Sequence, residues 1–242
     1  MIIHKINATD STNTYLKKLI NRSNVENYTI VSTDFQYLGK GQGDNKWISK
    51  RGKNLLFSIL ITENIPIAHN AFLNFAISLG IYKVLIQYTS QIKIKWPNDI
   101  MAGTDKICGI LIENKLKEKY INQSIVGIGL NVNQLNFPKN IPNTTSLKKL
   151  TGKSLNRNRL RNKIVLSIQK QIVILKEGNI KILQEEYNQY LYKIGVPAMF
   201  KNLQKQTFLG KIIGVSELGM LQIKCADDSI QEYANKEIIL IS

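Results

Sequence analysis

The hydrophobic positions of the first 194 residues repeat with helical spacing in four segments and form short apolar runs in five others. The first predicted helix follows Asp10-Ser11-Thr12, where Asp or Ser can accept from the free N–H groups of the first turn. The other predicted helices are about 68–88, 156–176 and 180–192, and the predicted strands are 28–33, 54–61, 92–96, 107–113 and 121–132. The segment 133–145 predicts a long surface loop. The apolar side of the second helix should pack on a sheet.

The pattern changes at Gly195, after which the apolar runs are only about five residues long. Gly210, Gly214, Gly219 and Asp227-Asp228 interrupt these runs. Short strands separated by turn residues are typical of a small all-β unit. The sequence therefore predicts two domains, residues 1–194 and residues 195–242.

Composition excludes several classes of protein. With 43% hydrophobic and 21% charged residues among 242, the chain is long and apolar enough to bury a large core. Cys108 and Cys225 lie far apart and outside any CxxC or Cys/His cluster, which argues against a disulfide framework and a zinc site. The amino terminus lacks a secretory pattern, and Asn74 and Lys83 interrupt the most apolar long stretch, 71–86. We expect a cytoplasmic protein that does not bind membranes.

The net charge of +16, from 33 Lys and Arg against 17 Asp and Glu, has two explanations. The lysines accompany many isoleucines and asparagines, which are the residues that AT-rich codons favour. Alternatively, the excess attracts polyanions or acidic proteins, because net charge acts on partners and association rates rather than on the fold. Composition alone leaves both explanations open.

The predicted strand through Gly127 and Gly129 carries its glycines on one side. Since side chains alternate along a strand, Gly127, Gly129 and Asn131 share a face, while Ile128 and Leu130 point to the core. Two glycines on one face indicate a close approach, either by a ligand or by another element packed against the strand. Asn131 at the rim favours a ligand.

Two further segments carry polar groups at the ends of predicted strands. Lys106 begins a nearly continuous apolar run, so it either needs an anionic partner inside the protein or simply reaches solvent. Pro97 ends the strand before it, and Asn98 and Asp99 then lie on the turn, where reactive groups are often found. The alternative for the second segment is an ordinary turn.

The segment Gly39–Trp47 has three glycines in its first five positions and therefore forms no regular element. Its backbone N–H groups and Lys40 suit an anion, although a solvated hairpin loop is the simpler interpretation. It matches neither the Walker A loop nor a GxGxxG turn followed by a helix. His4 and His69 stand apart from any nucleophile signature and receive no catalytic role.

These motifs occur in a specific order along the chain. In sequence they are Asp10-Ser11-Thr12-Asn13; Gln36 before Gly39-Lys40-Gly41-Gln42; Lys95-Trp96-Pro97-Asn98-Asp99; Lys106 before Gly109-Ile110-Leu111-Ile112-Glu113; and Gly127-Ile128-Gly129-Leu130-Asn131-Val132-Asn133. This order resembles the biotin protein ligase family, and the β-rich end is similar to that family's SH3-like C-terminal domain. The resemblance covers essentially the whole chain. It implies an α+β fold, with a mixed sheet flanked by helices in a catalytic domain like those of class II aminoacyl-tRNA synthetases and biotin synthetases.

The resemblance also implies a reaction and its partners. Biotin and MgATP would give biotinyl-5′-adenylate and pyrophosphate, and a lysine of a biotin carboxyl carrier domain, from acetyl-CoA carboxylase or a related carboxylase, would then take the biotin. Carrier domains of this kind are generally acidic. Mg²⁺ would arrive with ATP rather than at a metal site of the chain. The oligomeric state is left open between a monomer and a homodimer.

The resemblance assigns roles residue by residue. The implied catalytic residues are Lys106, Asp99 and Lys40, with Lys106 stabilising charge and Asp99 orienting or deprotonating the acceptor lysine. The implied biotin-binding residues are Ser11, Thr12, Asn13, Gln36, Lys40, Gly41, Gln42, Lys106, Gly109, Gly127 and Gly129. The implied ATP-binding residues are Lys40, Gln42, Trp47, Asn98 and Asn131.

The glycine loop departs from the family pattern G-R-G-R-x-G-R-x-W. Lys40, Gln42 and Asn45 stand at the three arginine positions, and Asp44 stands at the later glycine position. Lysine cannot grip an anion with two parallel hydrogen bonds as arginine does. We therefore expect a loop that retains the adenylate less firmly.

Two alternative functions remain at this level. A lipoate protein ligase is similar in fold, but the Arg-Arg-x-Ser-Gly-Gly type of loop is absent from the sequence. A basic nucleic-acid-binding protein would explain the charge, but it would not explain why Gln36, Lys106 and the glycine-faced strand occur together. Because the catalytic motifs begin near residue 10, with no room for a helix-turn-helix domain, we expect no sequence-specific operator binding.

Overall fold

A computed structural model describes residues 2–241 of the chain. Its main sheet has the strand order β1-β2-β3-β8-β7-β6-β5, with β4 paired to β8. The strands are β1 (Ile3–Ile6), β2 (Ile30–Thr33), β3 (Leu55–Ile61), β4 (Ile65–Pro66), β5 (Ile92–Lys95), β6 (Asp99–Ala102), β7 (Asp105–Lys117) and β8 (Tyr120–Leu130). The β1–β2 pair is parallel and the neighbouring pairs are antiparallel, so the predicted mixed sheet is confirmed.

Helices cover both faces of this sheet. They are α1 (Thr12–Ile20), α2 (Asn70–Leu85), α3 (Leu147–Thr151), α4 (Arg157–Lys176) and α5 (Ile180–Gln189), with a 3-10 turn at Ile67–His69. The strand positions that face α2, α4 and α5 form the large core, which includes Ile59, Val126 and Ile128. The alternate positions Leu60 and Ile125 face α1 and form a smaller core around Leu16.

The C-terminal part is a second sheet of five antiparallel strands. They are β9 (Pro197–Asn202), β10 (Thr207–Val215), β11 (Leu221–Cys225), β12 (Ile230–Tyr233) and β13 (Ile238–Ile241), in the order β12-β11-β10-β9-β13. This confirms the predicted all-β unit. Phe200 and Ile223 of this sheet belong to the same buried cluster as the main core, so the two sheets pack together. The boundary at residue 194 stays a prediction.

Every helix and strand predicted from the sequence is present, and four short elements were missed. These are β1, β4, β6 and α3, none longer than five residues. The sequence predicts Asp99 on a turn, but it is the first residue of β6. The turn is confined to Trp96–Asn98, because the chain pairs with β7 from Asp99 onwards. Within residues 2–241, no helix combines the length and the apolar composition required to cross a membrane.

Candidate active site

A cavity of about 470 Å³ lies on the α1 face of the main sheet. Its floor is the central strand trio, where Leu56, Gly129 and Gly109 stand side by side, and Gly127 pairs with Leu111 in the next row. On this face the small core under α1 covers only one end of the sheet. The glycines at the other end carry no side chains, so the surface there is left uncovered. The sheet therefore builds a shallow pocket in which the floor is largely backbone.

Nearly all the residues singled out from the sequence meet in this cavity. Those that line it are Ser11, Thr12, Asn13, Gln36, Lys40, Gly41, Gln42, Trp47, Asn98, Asp99, Lys106, Gly109, Gly127 and Gly129. They come from five separate stretches of the chain. The exception is Asn131, which is buried at the end of β8 and is not one of the residues that line this cavity in the part of the chain described. Its Oδ1 atom finds no hydrogen-bond partner among residues 2–241.

The glycines of the floor make room for side chains of the site itself. A methyl group at Gly129 would lie 2.5 Å from Cε2 of Trp47, and one at Gly109 would lie 2.9 Å from Cζ3 of the same ring. A methyl group at Gly127 would press on the amide oxygen of Asn13 at the start of α1. The side of the strand that carries the glycines is therefore approached by side chains of the protein itself, Asn13 of α1 and Trp47 of the loop, and close approach by a ligand stays a prediction.

The first turn of α1 is capped by a side chain that lies far away in the sequence. Ser11 is the N-cap residue but its side chain makes no capping hydrogen bond within the described chain, which corrects the expectation that Asp10 or Ser11 would supply the acceptor. Instead Gln36 Oε1 accepts from the Thr12 backbone N–H at 2.8 Å. Asp10 accepts from the Ser11 N–H at 2.6 Å, ahead of the helix. This arrangement leaves the Ser11 side chain in the cavity wall.

Asp10 is held as a carboxylate close to this cap. Burial raises its pKa, but hydrogen bonds from the Ser11 backbone, Thr9 and Lys18 outweigh the burial and hold the pKa below its ordinary value. A backbone N–H that donates to a carboxylate favours the charged form. The loop that leads into α1 is therefore fixed by a charge-assisted hydrogen bond.

Neutral polar groups form a continuous chain beneath the cavity. Ser58 Oγ lies 2.7 Å from Thr12 Oγ1 and 2.5 Å from Asn13 Oδ1, and Thr12 Oγ1 lies 3.0 Å from Gln36 Oε1. Ser58 is fully buried on β3, where it pairs with Gly127. The sequence interpretation missed Ser58, although it is the one polar residue in the run Leu55–Ile61.

Lys106 has the anionic partner that its position required. Its Nζ lies 2.6 Å from Asp99 Oδ1, and both side chains remain partly exposed. The same ammonium lies 5.7 Å from the centre of the Trp47 ring. Cys108, two residues along β7, is fully buried, and burial raises the pKa of its thiol far above the ordinary value, so it stays a neutral core residue.

The glycine loop folds back on itself as a tight hairpin. Gly41 N–H donates to Asn45 O at 2.7 Å and Trp47 N–H donates to Gly39 O at 2.9 Å. Lys40, Asn45 and Lys46 are exposed and also line the cavity. The hairpin interpretation is correct for this loop, and the hairpin brings two lysines to the cavity edge.

The turn before β6 is tied to both sheets. Asn98 Nδ2 donates to Ile110 O at 2.7 Å, which fixes the turn against β7. Trp96 Nε1 donates to Gly219 O in the C-terminal sheet at 2.9 Å. The chain between these contacts, Trp96–Asn98, forms one wall of the cavity. A second groove, of about 350 Å³, shares this wall and continues to Leu218 and Met220 of the C-terminal part.

Within residues 2–241, no three His, Cys, Asp or Glu side chains come together in a manner that would hold a metal ion. Among the residues that the structure describes, the cationic groups at the cavity are Lys40, Lys46, Lys95 and Lys106, and Asp99 is the only carboxylate in the lining. A cavity with this excess of positive charge and many neutral amides suits an anionic ligand that also carries neutral polar groups.

Comparison with known proteins places the chain among enzymes of one type. The family model described as the biotin/lipoate A/B protein ligase family matches residues 6–131. The bifunctional ligase/repressor BirA of Bacillus subtilis is 27% identical over 222 residues, covering 90% of this chain and 68% of that protein. The biotin–[acetyl-CoA-carboxylase] ligase of Mycobacterium tuberculosis is 24% identical over 156 residues, 62% of this chain and 56% of that protein.

Solved structures agree with these matches over the full length. The biotin protein ligase of Aquifex aeolicus in complex with biotin and ATP superposes with a TM-score of 0.81 and 28% sequence identity. The match covers 99% of this chain and 98% of that one, so it includes the C-terminal sheet as well as the main sheet.

Proposed function

Because this chain belongs to the biotin/lipoate A/B protein ligase family, we propose that it is an ATP-dependent biotin protein ligase. It joins biotin to ATP to give biotinyl-5′-adenylate and pyrophosphate. It then transfers the biotinyl group to a specific lysine of a biotin carboxyl carrier protein, releasing AMP.

The observation that carries the proposal is the convergence of five sequence motifs on one cavity. Fourteen residues named from the sequence line the same space, although they come from α1, two loops and three strands. Neutral hydrogen-bonding groups lie at the α1 side and lysines lie at the loop side. A ligand with a neutral ring and an anionic tail fits this division, and biotin has this shape.

Biotin would lie with its ureido ring at the α1 end, against Ser11, Thr12, Asn13 and Gln36. A urea has two N–H donors and one carbonyl acceptor, so it requires neutral partners in an otherwise apolar slot. The backbone at Gly127 and Gly129 allows a flat ring to approach the strand closely. The carboxylate would then point towards Lys106.

The adenylation step needs fixed positive charge, because a carboxylate attacks a phosphate and two anions are brought together. Charge that is already in place stabilises the transition state without reorganisation. Lys106 and Lys40 supply this charge, and Trp47, Asn98 and Gln42 serve the nucleotide. MgATP brings its own metal, whose positive charge adds to that of the two lysines. Trp47 would have to leave its place on Gly109 and Gly129, or offer its outer face, when adenine binds.

The transfer step needs a neutral amine, because an ammonium has no lone pair with which to attack. Asp99, the one carboxylate that the described part of the chain brings to the cavity lining, is the group that orients or deprotonates the acceptor lysine. Its Oδ1 atom lies 2.6 Å from Lys106 Nζ, so the two groups proposed for the two steps are adjacent. The carrier domain approaches from outside the cavity.

The test is transfer of biotin to a carrier domain, followed by the intact mass of the carrier. The mass should rise by one biotinyl group only when both biotin and ATP are present. Pyrophosphate release should depend on biotin and should not be supported by lipoate, since the lipoate ligase alternative predicts the reverse preference. Lipoate-dependent release with no biotin dependence would overturn the proposal.

A further inference from the structure

A further pocket lies between the two sheets, and the proposed reaction does not use it. Its volume is about 220 Å³. One wall is the stretch Lys95–Pro97, which also lines the catalytic cavity. The other walls come from Leu191 and Tyr192 after α5, from strands β9, β10, β11 and β13, and from the turn before β13. We call this space the rear pocket, and it shares a wall of three residues with the catalytic cavity.

The floor of the rear pocket is made of core side chains. They are Leu191, Phe200, Ile212, Leu221 and Ile238, none of which is more than 8% exposed. All five belong to the main buried cluster, at the place where the two sheets pack together. Protein interiors leave few voids larger than a water molecule, so an open pocket that reaches core side chains is unusual. Its floor offers an apolar surface to a hydrocarbon chain.

The polar side chains of the rear pocket give it a positive end. Lys95 lies on β5, and Lys236 lies on the turn between β12 and β13. Neither lysine forms an ion pair within residues 2–241, and the lining that those residues provide contains no Asp or Glu. The Lys236 ammonium lies beside the glycine hairpin, 3.1 Å from the place that a methyl group on Gly43 would take. The Lys236 charge is therefore on the hairpin side of the pocket, and the apolar floor is on the core side.

We propose that the rear pocket is a binding site for a small aliphatic carboxylate, whose chain lies on the floor and whose carboxylate pairs with Lys236 and Lys95. Two cations beside an apolar floor are complementary to a ligand with one anionic end and one apolar end. A phosphate would leave the floor empty, and an uncharged hydrocarbon would leave both lysines without a partner. The volume is below the roughly 300–1,000 Å³ of sites for drug-sized ligands, so the chain is short. This site goes beyond the proposed function, since it takes neither biotin nor ATP.

A series of straight-chain carboxylates tests the apolar floor. Butyrate, hexanoate and octanoate are titrated into the full chain by calorimetry. Each added CH₂ group should lower the Kd about four-fold, which corresponds to about 0.8 kcal/mol, until the floor is covered. A Kd that is the same for all three compounds would show that the hydrocarbon chain stays in water, and would overturn the inference.

Two compounds with the chain length of octanoate test the positive end. Octanol should bind about ten-fold more weakly than octanoate, because a hydrogen bond to a charged group is stronger than one between neutral groups. Octylammonium should bind more weakly still, since it brings a third cation to the two lysines. Equal Kd values for the three compounds would mean that the lysines play no part, and would contradict the inference.

Lys236→Met removes one charge and nearly keeps the length of the side chain. The Kd for octanoate should rise about ten-fold, whereas the Kd for octanol should change less than about two-fold. Lys211→Met is the matched control, because Lys211 is exposed on β10 of the same sheet and lies outside the lining of the rear pocket. It should leave both Kd values unchanged. Equal weakening of octanoate binding by the two variants would attribute the effect to net charge and would exclude a site at Lys236.

Competition with biotin decides between the rear pocket and the catalytic cavity. Biotin also carries a carboxylate on a short aliphatic chain, so the proposed biotin slot is the competing site for octanoate. With biotin at saturating concentration, the Kd for octanoate should stay within about two-fold of its value without biotin. Displacement of octanoate by biotin would place the carboxylate in the catalytic cavity and refute the rear pocket as its site.

Leu240→Phe locates the site independently of biotin. Leu240 is half-buried, pairs with Phe200 and lines the rear pocket, so a larger side chain fills part of the space. The variant should weaken the binding of octanoate and of octanol alike, each by about ten-fold, because both chains lose the same floor. Thermal unfolding establishes that the variant is folded, and a folded variant with the wild-type Kd for octanoate would contradict the inference. Lys236→Met changes an exposed side chain and provides the test if Leu240→Phe does not fold.

Discussion

At the scale of single residues, the site depends on charges that are each held by one specific contact. Lys106 stands at the head of a buried strand, and its ammonium contacts Asp99. The positive charge is thus fixed in place before any ligand arrives, while its exposed part faces the cavity. Preorganised charge of this kind contributes to the transition state more than a mobile surface lysine does.

Lys106→Ala should slow adenylation by about 100-fold or more, since hydrogen bonds to charged groups contribute about 1.5–3 kcal/mol and further charge stabilisation is lost. Biotin-dependent pyrophosphate release measures the effect. Lys93→Ala is a suitable control, because Lys93 lies on β5 in the same sheet but contacts Tyr190 rather than the cavity. Near-normal pyrophosphate release by Lys106→Ala would remove Lys106 from the chemistry.

Some residues of the site can be identified from the sequence alone, and others cannot. Lys106 and the glycines can be identified from the sequence because each interrupts an apolar segment, with a charge or with a missing side chain, whereas Gln36 is identified only through the resemblance to the family. Ser58 is equally unusual in its apolar run, but its meaning comes from contacts with Thr12 and Asn13, 46 and 45 positions away. Asn131 follows the glycine-faced pattern and yet lies outside the cavity lining, because alternation gives a face and not the depth of a pocket.

At the scale of elements, the hairpin Gly39–Trp47 is the part that departs most from the family pattern. Its lysines supply point charges, and Gln42 and Asn45 are neutral at positions where the family has arginine. Lysine cannot form the paired, parallel hydrogen bonds with a phosphate that arginine forms. The loop should therefore hold the adenylate more loosely than an arginine-rich loop.

If the loop holds the adenylate loosely, some adenylate should escape and react with lysines of unrelated proteins. The enzyme, mixed with biotin, ATP and an unrelated lysine-rich protein, should attach biotin to that protein at a measurable rate. The variant that combines Lys40→Arg, Gln42→Arg, Asp44→Gly and Asn45→Arg provides the matched comparison and should label it less. Streptavidin blotting or intact mass measures the labelling, and equal labelling by both proteins would show that the loop residues do not govern escape.

Another set of elements is joined by Glu63, just after β3. Its carboxylate accepts from Asn27 at 2.7 Å and from Tyr28 at 3.0 Å, and it contacts Lys176 at the end of α4 at 2.6 Å. Burial raises its pKa, but these three hydrogen bonds outweigh the burial and lower the pKa below the ordinary value. Burial, and then the charge of Glu63 and its hydrogen bond with the Tyr28 hydroxyl, raise the pKa of Tyr28.

A carboxyl group with a lowered pKa stabilises the fold only while it is ionised. Its contribution is complete above the ordinary value of about 4.3 and is lost as the pH falls through the lower pKa of the folded state. Glu63→Gln should thus reduce the free energy of unfolding by about 1–2 kcal/mol at neutral pH. The difference should shrink below pH of about 4. Urea unfolding at several pH values tests this, and a constant difference would exclude the ionised carboxylate as the cause.

The long elements were predictable because their periodicity extends over many residues. The helix α4 and the strands β7 and β8 each repeat their pattern several times, so chance interruptions do not hide it. The missed elements have at most five residues, and they exist because of their neighbours. Strand β6 forms because the turn before it is held to β7 by Asn98, a contact that no local pattern reveals.

At the scale of the whole molecule, the charge of +16 is far larger than the site requires. Lys115, Lys117 and Lys119 at the tip of the β7–β8 hairpin are exposed, and they lie beyond the cavity. Diffuse charge of this kind acts on the approach of a partner rather than on bound groups. If the carrier domain is acidic, the charge serves the second half of the reaction.

Salt should therefore slow the two half-reactions to different extents. The rate of transfer to the carrier domain should fall steeply as salt rises, because the Debye length shrinks to about 10 Å at 0.1 M. Adenylation should change much less, since its charges lie within a few ångströms of one another. Both rates can be measured in the same buffers, by pyrophosphate release and by carrier mass. Parallel salt dependence would indicate that the surface charge does not guide the carrier.

The chain contains two tryptophans, and both of them line the same cavity. Trp47 rests on the glycine floor at the end of the hairpin, and Trp96 forms the wall that joins the C-terminal sheet. Intrinsic fluorescence excited at the red edge of indole absorption is therefore a signal from the site alone, with no contribution from tryptophan elsewhere. Single replacements by phenylalanine would divide this signal into a loop component and a wall component, so that the order of events at the cavity can be followed by stopped flow without any attached dye.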